Sequence, residues 1–252
     1  MNNIQRQYRT AEHLNTRISI HDKYSVNKMG FGNWIVSHYP IEPGFRILEL
    51  GCGTGSMWMG HLDLIRDASL VLTDFSEGML DTARSNLPRR ENISFRQVDI
   101  QDIPFPDGSF DLVIANMMLY HVPDLHRGLS EVRRVLKDGG TFCCATYGEH
   151  GIAQFVTELL RKENATCSIG TAFTLQNGGE TLARHFSRVE RLDYPDALEI
   201  TDLNDFLDYI YSLSSLSNIS TVERPVLLDA LERRTENGVL RVPKEYGMFL
   251  CK

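Results

Sequence analysis

No stretch of the 252 residues strings together the roughly eighteen apolar side chains that a membrane-crossing helix needs. The opening MNNIQRQYRTAEHL is polar where a secretory signal carries an apolar centre. These absences lead to the expectation of a soluble, cytoplasmic protein without a membrane partner. Cysteine is sparse and unpatterned: Cys52, Cys143, Cys144, Cys167 and Cys251 form no CxxC pair, which removes cluster and zinc ligand sets and predicts reduced, mostly buried thiols. Positive charge is also short, with 26 Lys and Arg against 33 Asp and Glu, a net charge of -7 and a pI of about 5.6. A broad phosphate-binding face is therefore not expected, and the pairs Arg89-Arg90, Arg133-Arg134 and Arg233-Arg234 sit among acids and read as solvated helix faces. Internal repeats and low-complexity segments are lacking as well.

Apolar strand-like runs alternate with helical patterns through the first two thirds of the chain, the order that a parallel sheet with crossover helices produces. The strands read are Arg46–Leu50, Leu70–Thr73, Ile93–Val98, Phe110–Ala115 and Gly140–Thr146. Helices are expected over roughly Gly55–Arg66, Ser76–Asn86 and Asp124–Leu136, the last stopped by Lys137-Asp138-Gly139-Gly140. Beyond Tyr147, helices at Gly151–Asn164 and Gly179–Phe186 and a strand Arg188–Leu192 complete the core pattern. TDLNDFLDYIYSL, residues 201–213, spaces Leu203, Phe206, Leu207, Ile210 and Leu213 as an amphipathic helix. A further helix at about Thr221–Glu236 precedes Gly238, and YGMFLCK supplies a final edge strand.

ILELGCGTG, residues 47–55, places three glycines within five positions behind the first strand, with Glu49 just before them. Strand, glycine turn and helix in that order let a ligand touch the main chain. A dinucleotide site has its third glycine one position later, where this chain has Ser56. Glu49 would repel a diphosphate but attract a ligand carrying an ammonium group and a positively charged sulfur.

E-x-G-x-G-x-G after the first strand resembles the first motif of the class I S-adenosylmethionine-dependent methyltransferases, and is most similar to the small-molecule group that includes the ubiquinone/menaquinone type. The likeness continues through LVLTDFSEGML, VDIQDIPFPDGSFDLVIANMMLYHVPD and EVRRVLKDGGTFCC, covering about residues 44–147. It implies S-adenosylmethionine as cofactor, held by Glu49, Gly51, Cys52, Gly53, Thr54 and Gly55 at the turn and by Asn116 at the methionine end. Asp74 takes the place of the family's ribose-binding carboxylate, with Phe75 and Met79 as apolar neighbours of the adenine, and Asp99 and Ile100 take the adenine-binding places. ISIHDKYSVNKMGFGNWI resembles the leading segment that relatives fold over the cofactor, which puts Tyr24, and less so Lys28, at its methionyl end and Trp34 in packing beneath it.

Methyl transfer from a sulfonium is an in-line displacement at an activated carbon, so alignment and water exclusion matter most. A base helps when the acceptor is a hydroxyl, phenol or acidic C–H, and His121, on the loop after the fourth strand, is the candidate, against a packing or pocket role. The resemblance implies a Rossmann-like three-layer α/β fold with a mainly parallel seven-stranded sheet plus helical cap segments. The expected division is an N-terminal helical cap at 1–40, a cofactor-binding core at 41–195, a helical insertion over the acceptor pocket at 196–237 offering Phe206, Tyr209 or Tyr211, and a final strand at 238–252. The partner expected is a small-molecule acceptor methylated at O, N or C, with no metal, no nucleic acid, and a monomer or homodimer as the working state. NMMLY at 116–120 replaces the proline-rich tetrapeptide of amino-methylating nucleic-acid enzymes. A nicotinamide-dependent oxidoreductase, an RNA methyltransferase and a catalytically silent cofactor-binding protein remain as alternatives.

Overall fold

The computed structural model describes residues 19–161, 170–213 and 219–252. Seven strands form one sheet in the order β3-β2-β1-β4-β5-β7-β6. They are β1 (Arg46–Leu50), β2 (Ser69–Asp74), β3 (Ile93–Gln97), β4 (Phe110–Asn116), β5 (Leu136–Tyr147), β6 (Val189–Ile200) and β7 (Leu240–Cys251). Strands β3, β2, β1, β4 and β5 run parallel, in registers such as Leu48 opposite both Val71 and Val113. Near-continuous apolar runs explain this arrangement: every residue of β1 after Arg46 is buried, as is every residue of β4 except Asp111, as strands covered on both faces require. The fold is thus the expected mainly parallel Rossmann-like α/β sheet. YGMFLCK departs from expectation, because β7 lies between β5 and β6 and β6 is the edge strand.

The chain divides into two compact units. The core unit comprises 31–147, 170–194 and 247–252, and the helical unit comprises 1–30, 148–169 and 195–246. Residues 148–169 therefore group with the N-terminal segment and the late helices.

Helices of the core unit are α1 (Phe31–Ser37), α2 (Glu77–Asn86), α3 (Leu125–Val135) and α5 (Gly178–Ala183); those of the helical unit are α4 (Ile152–Leu159), α6 (Leu203–Ser212) and α7 (Arg224–Glu232). Helix α3 starts where the Asp124 carboxylate accepts from Arg127 N at 3.0 Å, and it buries Gly128, Leu129, Val132 and Val135 at helical spacing. Its expected stop differs. The helix ends at Val135, and Lys137–Gly140 form an irregularity early in β5, whose pairing with β4 jumps from Leu136 to Thr141. The helix expected over Gly55–Arg66 is instead two short 3₁₀ turns, Ser56–Trp58 and Leu62–Ile65. Gly60, at φ +86, breaks the ladder between them.

In the helical unit α6 is capped by Asp202, whose carboxylate accepts from Asn204 N at 2.9 Å. Helix α6 buries Phe206, Leu207, Tyr209 and Ile210 in a separate apolar cluster with Ile20, Val156, Leu227, Leu231 and Val242. Of the expected Gly151–Asn164 helix, 162–164 lie outside the described residues, as does Cys167; Cys52, Cys143, Cys144 and Cys251 are free and buried.

Candidate active site

Strand order reverses between β1 and β4, so the carboxyl ends of those two strands flank the crevice where sheets of this kind bind ligands. Leu50 and Asn116 end the two strands, and the glycine turn leaves β1 there. The three glycines do different work. Gly51, at φ +70, faces the Met118 side chain, whose Cγ would lie 2.9 Å from any added Cβ. Gly55, at φ +72, is closed in by Leu87 and Ala83. Gly53, at φ +56, has nothing within 4 Å of an added Cβ. Only Gly53 therefore presents bare main chain to open space, while Gly51 and Gly55 are small because protein packs against them; the expectation that all three clear room for a ligand is narrowed accordingly.

Asp74 closes the turn from the next strand. Its Oδ2 accepts from Gly53 N at 2.9 Å and its Oδ1 from Ser76 N at 2.8 Å, which ties the turn to the start of α2. Each carboxylate oxygen keeps a second acceptor direction. Cys52 is buried with its N–H on Thr73 O at 2.8 Å, and Thr54 O accepts from Asn86 Nδ2 at 3.1 Å. Phe75 is exposed at 60% and Met79 is half-buried.

Glu49 is buried, and its Oε2 accepts from Trp58 Nε1 at 2.6 Å. Burial pushes its carboxyl up to about 7, against the Trp58 hydrogen bond and assisted by the nearby Asp74 charge. Asn116 is buried too. Its Nδ2 donates to the Tyr39 hydroxyl at 2.6 Å, and its Oδ1 has no partner among the described residues. Either orientation of that amide leaves one end unmatched, at a cost of about 1–3 kcal/mol while it stays so. Met117, next along, has φ 53, a left-handed backbone uncommon for a side chain of its size. Trp58, Tyr39, Met117 and Met118 were not singled out from the sequence; the SMW triplet behind the turn was the available signal for Trp58.

Of the residues expected to meet adenine, Asp99 is already engaged. Its Oδ1 accepts from Gln101 N at 2.8 Å, and Gln101 Nε2 reaches both carboxylate oxygens at 3.1 and 3.2 Å. Ile100 is buried with its side chain toward Gly128 of α3, where an added Cβ would come within 3.3 Å. His121 sits in a 3₁₀ turn, half-buried, its ring 4.5 Å from that of Tyr120, and burial lowers its pKa. Tyr24 belongs to the helical unit, where its hydroxyl donates to Asp205 at 2.6 Å beside the Lys23–Asp205 ion pair. Trp34 packs against Phe31, His38 and Tyr194. Phe206 is fully buried.

The carboxyl-end crevice of this Rossmann-like sheet thus brings together a carboxylate, an unmatched amide and a bare turn. Residues 48–144 match the methyltransferase domain family. The chain is 35% identical over 126 residues to a demethylmenaquinone methyltransferase of Symbiobacterium thermophilum, spanning 46% of this chain and 50% of that protein. It is 31% identical over 155 residues to a ubiquinone/menaquinone biosynthesis C-methyltransferase of Shewanella oneidensis, spanning 56% of this chain and 62% of that one. It thus matches about half the length of these curated relatives. The fold is also that of phosphoethanolamine N-methyltransferase 2 from Haemonchus contortus, solved in complex with S-adenosyl-L-methionine, at a TM-score of 0.60 and 16% identity over 98% of this chain and 58% of that one. Among the described residues no helix is long and apolar enough to cross a membrane.

Proposed function

We propose that the chain binds S-adenosylmethionine and transfers its methyl group to a small-molecule acceptor. The observation that carries this reading is the pairing of a buried carboxylate, Glu49, with an unmatched buried amide, Asn116, at the ends of adjacent strands. That donor-seeking pair suits the ammonium of an amino acid and is unsuited to a diphosphate. S-adenosylmethionine would supply a methyl group on a cationic sulfur, already activated toward displacement.

Within this reading Glu49 and Asn116 hold the amino-acid end, and Gly53, flanked by Cys52 and Thr54, lets the ligand approach the main chain. Asp74 has its two remaining acceptor directions for adjacent ribose hydroxyls, so its turn-closing and ligand-binding roles coexist. Asp99 with the Ile100 N–H meets the adenine, and Phe75 and Met79 cover it. His121, kept neutral by burial, is the candidate to take a proton from an acidic acceptor. A cytoplasmic setting and a monomer or homodimer complete the proposal.

Calorimetry with S-adenosylhomocysteine, followed by labelled methyl transfer into a metabolite extract, tests it. Binding of S-adenosylhomocysteine in preference to NADH, with label appearing in an extractable small molecule, is expected. Preference for NADH would overturn the cofactor, and binding without any transfer would overturn the activity.

A further inference from the structure

Two aromatic side chains grip the polar pair of the proposed site. Glu49 lies opposite Ile114 in the β1–β4 register, and Ile114 is two residues before Asn116, so Glu49 and Asn116 leave the same face of the sheet. Tyr39 and Trp58 meet them there, with ring centroids 6.1 Å apart and planes 30° from parallel. Each ring holds one of the two residues: Trp58 Nε1 donates to Glu49 Oε2 at 2.6 Å, and the Tyr39 hydroxyl accepts from Asn116 Nδ2 at 2.6 Å. All four side chains are buried. Their mounts are fixed by main chain, since Tyr39 N donates to Val36 O at 3.2 Å, Tyr39 O accepts from Ile41 N at 2.9 Å, and Met117 N, next to Asn116, donates to Ala145 O at 2.8 Å.

Trp58 has only a donor to offer, so its bond to a carboxylate can be made in one way. The Tyr39–Asn116 bond can be made in two, because a hydroxyl and an amide each donate and accept. In the first arrangement the hydroxyl accepts from Nδ2, and Oδ1 is left for a ligand. In the second the hydroxyl donates to Oδ1, and the amide N–H groups are left. An ammonium placed beside Glu49 needs acceptors, so the first arrangement admits it and the second opposes it. Glu49 decides between them. Burial, and after it the Glu49 charge, hold the Tyr39 hydroxyl well above the usual tyrosine range, so its proton stays and is drawn toward the carboxylate. The oxygen lone pairs are then turned to Asn116 Nδ2, and Oδ1 is the atom without a partner among the described residues.

We propose that Tyr39 is a positioning residue that sets the Asn116 amide with its oxygen toward the ammonium of the bound amino-acid end, and so makes the site read that end of the ligand as well as its nucleoside. The inference rests on the function proposed above. Phenylalanine at position 39 would keep the ring against Trp58 and free the amide to turn.

Calorimetry on the full chain compares S-adenosylhomocysteine with 5′-methylthioadenosine, which has the same nucleoside thioether and no amino-acid end. Tyr39→Phe should weaken S-adenosylhomocysteine binding about tenfold and leave 5′-methylthioadenosine within about twofold. In an Asn116→Ala background the same change should weaken S-adenosylhomocysteine by less than about twofold, because the amide it sets is gone. Equal losses for the two ligands, or a full loss that persists without Asn116, would mark a merely structural role and overturn the proposal. Wild-type protein labelled with ¹⁵N at asparagine gives a second measurement. The Asn116 side-chain amide hydrogens should show nuclear Overhauser contacts to the Tyr39 ring that persist when S-adenosylhomocysteine saturates the protein, and their loss on binding would overturn the proposal even if Tyr39→Phe fails to fold. Unchanged S-adenosylhomocysteine affinity in Tyr39→Phe overturns this inference alone, whereas absent binding to the wild type overturns the proposed function and this inference with it.

Discussion

The two units bury polar groups in opposite ways. In the core unit Glu49 and Asn116 sit at strand ends with hydrogen-bonding capacity left over, one held near its titration point and the other with an unmatched amide atom. In the helical unit the deepest charges, Lys244 and Asp196, are matched to each other and to nearby main chain. The first arrangement costs stability that the proposed ligand would offset, and the second uses polar groups to fix one packing arrangement. The difference separates residues whose loss should change binding from residues whose loss should change folding.

The largest break is expected at the ion pair. Lys244→Met leaves Asp196 buried without its cation and should lower stability by about 3–5 kcal/mol in chemical denaturation. The double change Lys244→Met with Asp196→Leu should recover most of that, because an apolar pair needs no hydrogen-bond partners. In the core unit the two glycines should behave differently. Gly51→Ala adds about 1–2 kcal/mol of left-handed backbone strain and a contact with Met118, and should appear mainly as lost stability. Gly53→Ala carries similar strain without the contact and should appear additionally as lost S-adenosylhomocysteine affinity. Equal effects on binding would erase the distinction between them.

A pH series sharpens the comparison further. The Glu49 carboxyl is raised from 4.5 to about 7 by burial, so the folded protein holds a proton there that the unfolded chain has released; this contribution to stability is full below 4.5 and is lost as pH rises through about 7. The ammonium group of the bound amino-acid end favours the ionised form. Affinity for S-adenosylhomocysteine should therefore fall by up to about tenfold per pH unit below 7, with proton release visible in calorimetry across buffers, and Glu49→Gln should flatten the profile. His21 works with the other sign. Its pKa is lowered from 6.5 to about 4, so its contribution is present above 6.5 and is lost as pH falls toward 4, and an acid titration of unfolding should show it. The smallest effect is expected from Tyr24→Phe, which removes the bond to Asp205 and should cost about 0.5–1.5 kcal/mol of stability. An accompanying loss of S-adenosylhomocysteine affinity would make Tyr24 a cofactor contact as well.

Sequence reasoning served the core unit better than the helical unit, for physical reasons. Parallel strands announce themselves as continuous apolar runs, and β1 was placed residue for residue at Arg46–Leu50. The turn was legible because glycines are the only residues that tolerate positive φ cheaply, yet which neighbour each one faces depends on Met118, Ala83 and Leu87, contacts that no local pattern encodes. The helix expected over Gly55–Arg66 gives way to two 3₁₀ turns because Gly60, at φ +86, interrupts it. The Lys244–Asp196 pair joins positions 48 residues apart in sequence, and Ser25 lies 219 residues from Lys244, so no window along the chain could show that cluster.

The place of β7 has a consequence for biosynthesis. Because the last strand of the sequence is threaded between β5 and β6, a nascent chain that has not yet emitted residues 240–251 leaves the flank of β5 open to any other extended segment. Ribosome-stalled or truncated chains ending before Leu240 should for this reason associate through that flank, and chains that include β7 should not.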